Sequence, residues 1–458
     1  MISFVINEGM DAREIRKLGG ELTTYIEHFV QGLGRTERRE ALGLYVTGLL
    51  LDGERKSIEP MAERLVERVE QREAMRQRLQ QAVALADWGN EVMLSRLAKK
   101  LDSELPGVEA FVIDDTGFPK KGDHSVGVQR QYSGTLGRID NCQVAVSLHL
   151  AGEHGSGMIG FRLFLPESWA TDAARRRQAG VPDEARFATK AEIALGQLDW
   201  AVACGVRKHV VLADAGYGES TDFREQLTAR SFEYVVAVNG EIVVWHPQSE
   251  PRIAYKPAGS RGRPPTRHRD ARHPPIALKE LAPTLRFRTV RWRQGSRGIQ
   301  AGKFAMLRVR TAHRHQNGVA PGAEQWLLCQ RMNDDSYKFW LSTLSEAATP
   351  SKLVKLAKLR WRIERDYQEL KQEIGLDHYE GRTWRGFHHH ATLCAVAHGF
   401  LALRRALFPP QPHPMDAADG AQSPPARAAA KARHMSALSK NLQRSSATSR
   451  EHVAEVIR

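Results

Sequence analysis

No run of apolar residues in this chain approaches the ~18 that a membrane-spanning helix needs. The opening residues, MISFVINEGMDAREIRKLGG, lack a basic stretch followed by an apolar core, so no secretory signal is predicted. Cysteine is scarce. The four thiols, Cys142, Cys204, Cys329 and Cys394, are scattered without CxxC or Cys/His spacing, which argues against both zinc and disulfides. They read as reduced, buried groups, and the expectation is a cytoplasmic protein with no membrane attachment. Acidic residues are also in deficit: 67 Lys and Arg face 53 Asp and Glu, a net charge of +14. A charge this basic favours a polyanionic partner, most often nucleic acid. The 458 residues suffice for two to four domains.

Five regions follow from the pattern along the chain. Residues 1–105 read as helical, with apolar residues at three- and four-residue spacings over Glu21–Leu33, Thr36–Leu51 and Ile58–Leu85. Ser57 is placed as an N-cap, with Pro60 in the first turn. This helical domain suits either recognition of a DNA end or a scaffold. Residues 106–238 turn β-rich. Val108–Ile113, Val126–Tyr132, Cys142–Leu150 and Met158–Leu165 predict an antiparallel meander. Helix Ala188–Ala203, strand Lys208–Ala213, helix Glu219–Ala229 and strand Glu233–Val238 come next, predicting an α/β core with a mixed sheet and flanking helices. Residues 239–345 read as a β-rich insertion with strand-like runs such as Arg286–Trp292 and Phe304–Val309. It carries a basic loop, KPAGSRGRPPTRHRDARHPP (256–275), in which Arg261, Arg263, Arg267, Arg269 and Arg272 suit a DNA backbone or a solvated linker. Residues 346–407 hold the strongest helix signal (350–375) and a final helix, His388–Leu407. Its run of His388, His389 and His390 points three ways, which suits packing or surface rather than metal. Residues 408–458 are expected to be a disordered basic tail.

Three acids stand where chemistry is possible. Asp114 follows the apolar run FVI and Asp214 follows VVLA, so both fall at strand ends, where crevices form. Singly, each also reads as a turn former or helix cap. The third is Glu364, within LAKLRWRIERDYQELKQEIGL. Arg360, Glu364, Tyr367 and Lys371 share one helix face at steps of four, three and four. Leu353, Leu356, Ile363, Leu370 and Ile374 make an apolar face that can dock on the sheet. Three carboxylates suit two Mg²⁺ or Mn²⁺ ions, because hard cations take oxygen ligands and phosphodiester cleavage must stabilise attacking and leaving oxygens together. A solvated row of i,i+4 ion pairs explains the helix face equally simply.

The segments IDDTGFPKKG (113–122), SVGVQRQYSGTLGRIDNCQVAV (125–146), VVLADAGYG (210–218) and RWRIERDYQELKQEIGLDHYEGR (360–382) resemble the DDE transposases of bacterial insertion sequences, in the branch with a Tyr-Arg-Glu-Lys signature. The resemblance implies an RNase H-like fold with a β-rich insertion before the last catalytic helix. It assigns the metal-binding acids to Asp114, Asp214 and Glu364, with Asp115 the alternative register for the first. It assigns phosphate contacts to Arg360 and Lys371. The signature's Tyr falls on Ala357, so its contact is absent or supplied elsewhere, as by Tyr367. Lys120 and Lys121, in a Pro-Lys-Lys-Gly turn, suit a phosphate clamp or a solvated turn. Trp292 is a candidate for stacking on a flipped base, against a core-packing role. The implied partner is double-stranded DNA, at element ends and target. The implied assembly is a homodimer on DNA, the implied location the bacterial nucleoid, and the implied activity metal-dependent strand cleavage and joining. A nuclease that cuts without joining, or an inactive DNA-binding regulator, are the alternatives.

Overall fold

The computed structural model describes residues 12–408 except 135–136, 258, 260, 264 and 296–297. The expected tail therefore lies, apart from Phe408, outside the described residues. From residue 12 to 104 the chain is mainly helical: Ala12–Val30, Thr36–Leu50, Ile58–Leu65, Arg72–Gln80 and Asn90–Glu104. The single helix expected over Ile58–Leu85 breaks at Val66, where the chain extends (φ −114, ψ 151). The break lets both halves face inward, Met61, Ala62 and Leu65 from one and Leu79, Ala82 and Val83 from the other. Ser57 does occupy the N-cap position, but its side chain makes no capping bond.

These helices wrap the last one, Trp384–Leu407, which is buried along nearly all its length. A helix apolar on every side needs a coat, and the N-terminal helices provide it. Tyr25 donates to the Val396 carbonyl (2.9 Å), the Tyr45 hydroxyl meets His390 Nδ1 (2.9 Å), and Trp88 stacks on His389 with 3.8 Å between ring centres.

The centre is one large mixed sheet. In chain order its strands are β1 (Val108–Pro119), β2 (Gln129–Ser133), β3 (Arg138–Gly152), β4 (Ser156–Leu163), β5 (Val210–Ala213), β6 (Tyr234–Val238) and β7 (Val243–Trp245). A two-residue pair, β8 (Arg252–Ile253) with β9 (His268–Arg269), stands apart. Then come β10 (Ile276–Ala277), β11 (Arg288–Gly295), β12 (Gly298–Thr311), β13 (Glu324–Arg331) and β14 (Tyr337–Ser342). The spatial order is β10-β7-β12-β13-β14-β6-β5-β1-β3-β2, with β11 on β12 and β4 on β3. The pairs β1/β5 and β5/β6 are parallel and β1/β3 is antiparallel. An antiparallel strand beside β1, with β5 and β6 parallel on its other side, is the RNase H-like arrangement.

The simple meander does not form. β3 inserts beside β1 along its whole length, and β2 and β4 pair end to end with the other edge of β3. Val126 and Val128, expected in a strand, are buried in the loop before β2 instead. The strands after residue 239 continue the same sheet, because β14 pairs antiparallel with β6.

Alternation along β1 sorts the two faces. Phe111 and Ile113 join the larger core, packed with Leu198, Phe223 and the N-terminal helices. Ala110 and Val112 join a second core, with Leu212, Leu353, Leu356 and Ile363. That second face is the one covered by the helices Pro350–Leu359 and Trp361–Gln368.

Candidate active site

β1 and β5 run side by side, Val112 opposite Leu212. Two residues further along each chain stand Asp114 and Asp214. Neighbouring strands lie ~4.8 Å apart, so the two acids emerge at one height. Both follow the parity of Val112 and Leu212, whose side chains face the covering helices. Asp214 also caps the short turn Ala215–Gly218, accepting from the Tyr217 amide at 3.3 Å.

Asp115 has the opposite parity. It pairs with Lys190, the first residue of the helix on the other face. Geometry therefore puts Asp114, not Asp115, among the helix-borne groups.

The expected helix over 350–375 is three pieces: Pro350–Leu359, Trp361–Gln368 and a wide turn, Glu369–Ile374. Arg360 sits at the first joint. Its Nη1 lies 2.7 Å from Asp114 Oδ2 and its Nη2 lies 3.1 Å from Glu364 Oε1. Burial pushes Asp114 up to about 7 despite the pull of Arg360, and the nearby Asp214 adds its repulsion. Glu364, by contrast, is 67% exposed at its side chain.

A divalent metal was expected among these acids. Asp114 fits one: a largely covered carboxyl beside a second carboxyl offers the oxygen ligands that a hard cation takes, though Arg360 now pairs with it. Glu364 departs from the expected cluster. Among the described residues no three acids, histidines or cysteines stand close enough to share an ion. The guanidinium of Arg360 lies between the first and third acids and supplies the positive charge there.

The remaining expected residues spread outward from this point. The Tyr367 hydroxyl is 2.7 Å from Ser147 Oγ, and Ser147 pairs with Asp114 across β1 and β3. Lys371 donates to the Gly117 carbonyl at 2.9 Å, three residues along β1 from Asp114. Burial pulls the Lys371 ammonium below its usual range. Lys120 donates to the Tyr379 carbonyl at 3.1 Å, and Lys121 is exposed beside it, along a pocket shared with Arg55 and Arg382. Trp292 on β11 is half-buried. Its Nε1 donates to Gln300 at 3.2 Å and its ring meets Phe304 edge-on at 5.7 Å. All four cysteines are free thiols, Cys204 only partly covered.

One group escaped the sequence reading. Asp366 is buried on the sheet side of the Glu364 helix, 2.7 Å from His149 Nδ1 and 2.6 Å from Ser156 Oγ. Burial opposes its ionisation, but the bonds from His149 and Ser156 outweigh that and hold the carboxyl below its usual range. The signal was present: Asp366 interrupts the apolar row Ile363, Leu370, Ile374. An acid in a buried stripe needs a partner. The three adjacent histidines are buried as well. Each donates to a backbone carbonyl: His388 to that of Trp384, His389 to that of Val83 or Trp88, between which its ring lies, and His390 to that of Gly375.

Comparison with known proteins adds to this geometry. Residues 28–299 match the family described as DDE superfamily endonuclease, a span that includes Asp114 and Asp214 and ends before Glu364. A probable transposase for insertion sequence element IS701 from Microchaete diplosiphon is 34% identical over 129 residues. That stretch is 28% of this chain and 31% of the relative, so the chain spans under a third of that protein's length. A solved chain from a synaptic complex of piggyBac transposase with hairpin DNA aligns over 95% of this chain and 80% of its own, at 10% identity. Its TM-score is 0.40, too low to bear on this fold.

Proposed function

Since the chain belongs to the DDE superfamily of endonucleases, we propose that it is a transposase that cuts DNA at the ends of its own insertion element and joins the freed 3′-hydroxyl to target DNA. One observation carries this reading. Two acids of matching parity emerge from adjacent parallel strands, under a helix that brings Arg360 and Glu364 to the same edge. The partial likeness to an insertion-sequence transposase supports it.

In this reading Asp114 and Asp214 would hold divalent metal, Mg²⁺ or Mn²⁺, as two ions, with Glu364 as the third acid of the set. Bound ions activate the attacking oxygen and neutralise the leaving one. The chain's own groups do the rest. Arg360 exchanges its two carboxylates for a phosphate, which its planar fork grips through two oxygens. Lys371 presents a second positive charge three residues along β1, and Lys120 and Lys121 a third position further out. Tyr367, tied to Ser147, fixes the helix against the strand that carries the partner of Asp114. The low exposure of Asp114 strengthens its attraction for a bound cation.

The N-terminal helices are assigned to end recognition, and two copies of the chain pair the two ends as a homodimer. Among the described residues no helix is long and apolar enough to cross a membrane.

The test is Asp214→Asn in the full chain, with labelled duplexes carrying the element's terminal repeats. Strand cleavage in Mg²⁺ is expected to disappear while end binding in a gel-shift assay stays within about twofold of wild type, because phosphate contacts rather than this acid supply the affinity. Undiminished cleavage refutes the assignment of Asp214. A pre-cut 3′-hydroxyl end supplied to the wild-type chain separates joining from cutting alone.

A further inference from the structure

We propose that the tip of the β8–β9 hairpin, centred on Arg261-Gly262-Arg263, reads the minor groove of A·T-rich duplex DNA. This rests on the reading of the chain as a DNA-handling protein and adds a sequence preference to it.

The base of the hairpin is fastened. Arg252 pairs with Arg269 and Ile253 with His268. Asp270 gathers the amides of Glu250 (2.8 Å), Arg272 (2.9 Å) and His273 (3.2 Å) and the Ser249 hydroxyl (3.2 Å). The tip is therefore carried on an anchored stem.

The charged residues of the connecting loop are all basic. Residues 254–267 read AYKPAGSRGRPPTR, with no acid. Arg261, Gly262, Arg263 and Arg267 are exposed. No side-chain hydrogen bond or ion pair engages Arg261, Arg263 or Arg267 among the described residues. Gly262 has φ 95, a conformation that side chains rarely adopt, and a Cβ built there meets no atom. Backbone shape, not packing, asks for glycine at this place. Lys256 donates to the Gly262 carbonyl and steadies the turn. Arg263 precedes a proline in sequence, which disfavours helical backbone there.

These features fit one groove better than the other. The major groove, ~12 Å wide, accepts a helix or a two-stranded ribbon, whereas the minor groove is ~6 Å wide. An exposed bend with a bare glycine between two guanidiniums suits the narrow one. A·T tracts narrow that groove further and deepen its negative potential, which draws arginine in. Tracking phosphates would need charge alone and would not distinguish A·T from G·C.

The experiment measures binding of the full chain, in EDTA so that no cleavage intervenes, to three duplexes of equal length. One is A·T-rich, one G·C-rich, and one carries inosine·C pairs. Inosine lacks the guanine N2 amino group, so its minor groove offers only acceptors, as A·T does, while its major groove matches G·C. A·T and inosine·C duplexes are expected to bind alike, about tenfold tighter than G·C. Arg261→Ala with Arg263→Ala should erase the preference and leave residual affinity, and Arg267→Ala should weaken all three duplexes equally. Equal affinity for the three, or inosine·C behaving as G·C, overturns the inference and leaves the transposase reading standing. Failure to bind any duplex sinks both.

Discussion

The sheet edge at Asp114 and the polar layer behind the Glu364 helix both set carboxylates beside cations, but only the second is sealed. At the edge, Arg360 spans Asp114 and an exposed Glu364. Behind it, Asp366 bonds to His149 and Ser156, and Glu369 takes the fork of Arg405, with His398 Nε2 3.4 Å away. The edge is held by the hydrogen-bonded ion pairs of one partly exposed guanidinium. The sealed layer has hydrogen-bonded partners on most sides and nothing to exchange with. One helix thus carries a reactive face and an anchoring face, two residues apart in sequence.

The comparison breaks most visibly if the two acids are swapped in role. Glu364→Gln is expected to abolish cleavage while changing unfolding free energy by less than ~0.5 kcal/mol, as for other exposed sites. Asp366→Ala leaves His149 and Ser156 facing a void and should cost ~3–5 kcal/mol in urea denaturation. Equal stability losses from both substitutions would erase the distinction between edge and layer.

Acid should find the sealed side first. Burial pulls His388, His389 and His390 down to about 4, against ~6.5 in the unfolded chain. Their folded values are depressed, so between those limits the unfolded chain binds more protons. Stability is complete above ~6.5 and falls as pH drops towards 4, each histidine adding up to ~1.4 kcal/mol per pH unit. Denaturant titrations at steps across that window should show this slope, and His389→Phe should make it shallower. A slope unchanged by that substitution would mean His389 already titrates normally in the folded chain.

How much of this could be read from the chain alone follows the same division. Asp114 and Asp214 stood out because each closes an apolar run, but Asp115 stayed open as the alternative until the strand pairing set which face each takes. The core strands and the helix around Glu364 were legible from local pattern. What failed was non-local. Nothing in the segment 138–152 says that its strand lies beside β1 and also pairs with both β2 and β4. The partners of His389 are carbonyls 306 and 301 residues away in sequence. The family resemblance implied a phosphate role for Arg360, but neither it nor the spacing could show that the same guanidinium pairs with two of the acids. The helix break at Val66 was missed for the same reason, since packing across the chain decides it.

Lys358 is the intermediate case, neither at the edge nor fully sealed, and it gives the smallest effect. Its ammonium stands 5.1 Å from the ring of Trp340 and 5.7 Å from those of Trp292 and Phe304, and it donates to Gln330. Burial, helped by the nearby Lys338, pulls it down to about 8. A lysine whose folded value is depressed binds its proton less tightly than the unfolded chain does, so the protein gains stability as pH rises from about 8 towards ~10.4. Lys358→Met keeps the volume and the ring contacts but has no proton to lose. Relative to wild type the variant should therefore be favoured at pH 7 and lose ~1 kcal/mol of that advantage by pH 10, a figure reduced for partial solvent access. Paired urea titrations at the two pH values measure it. A pH-independent difference would show that the three rings hold the ammonium as comfortably as water does, and would move Lys358 to the side of the freely exchanging charges.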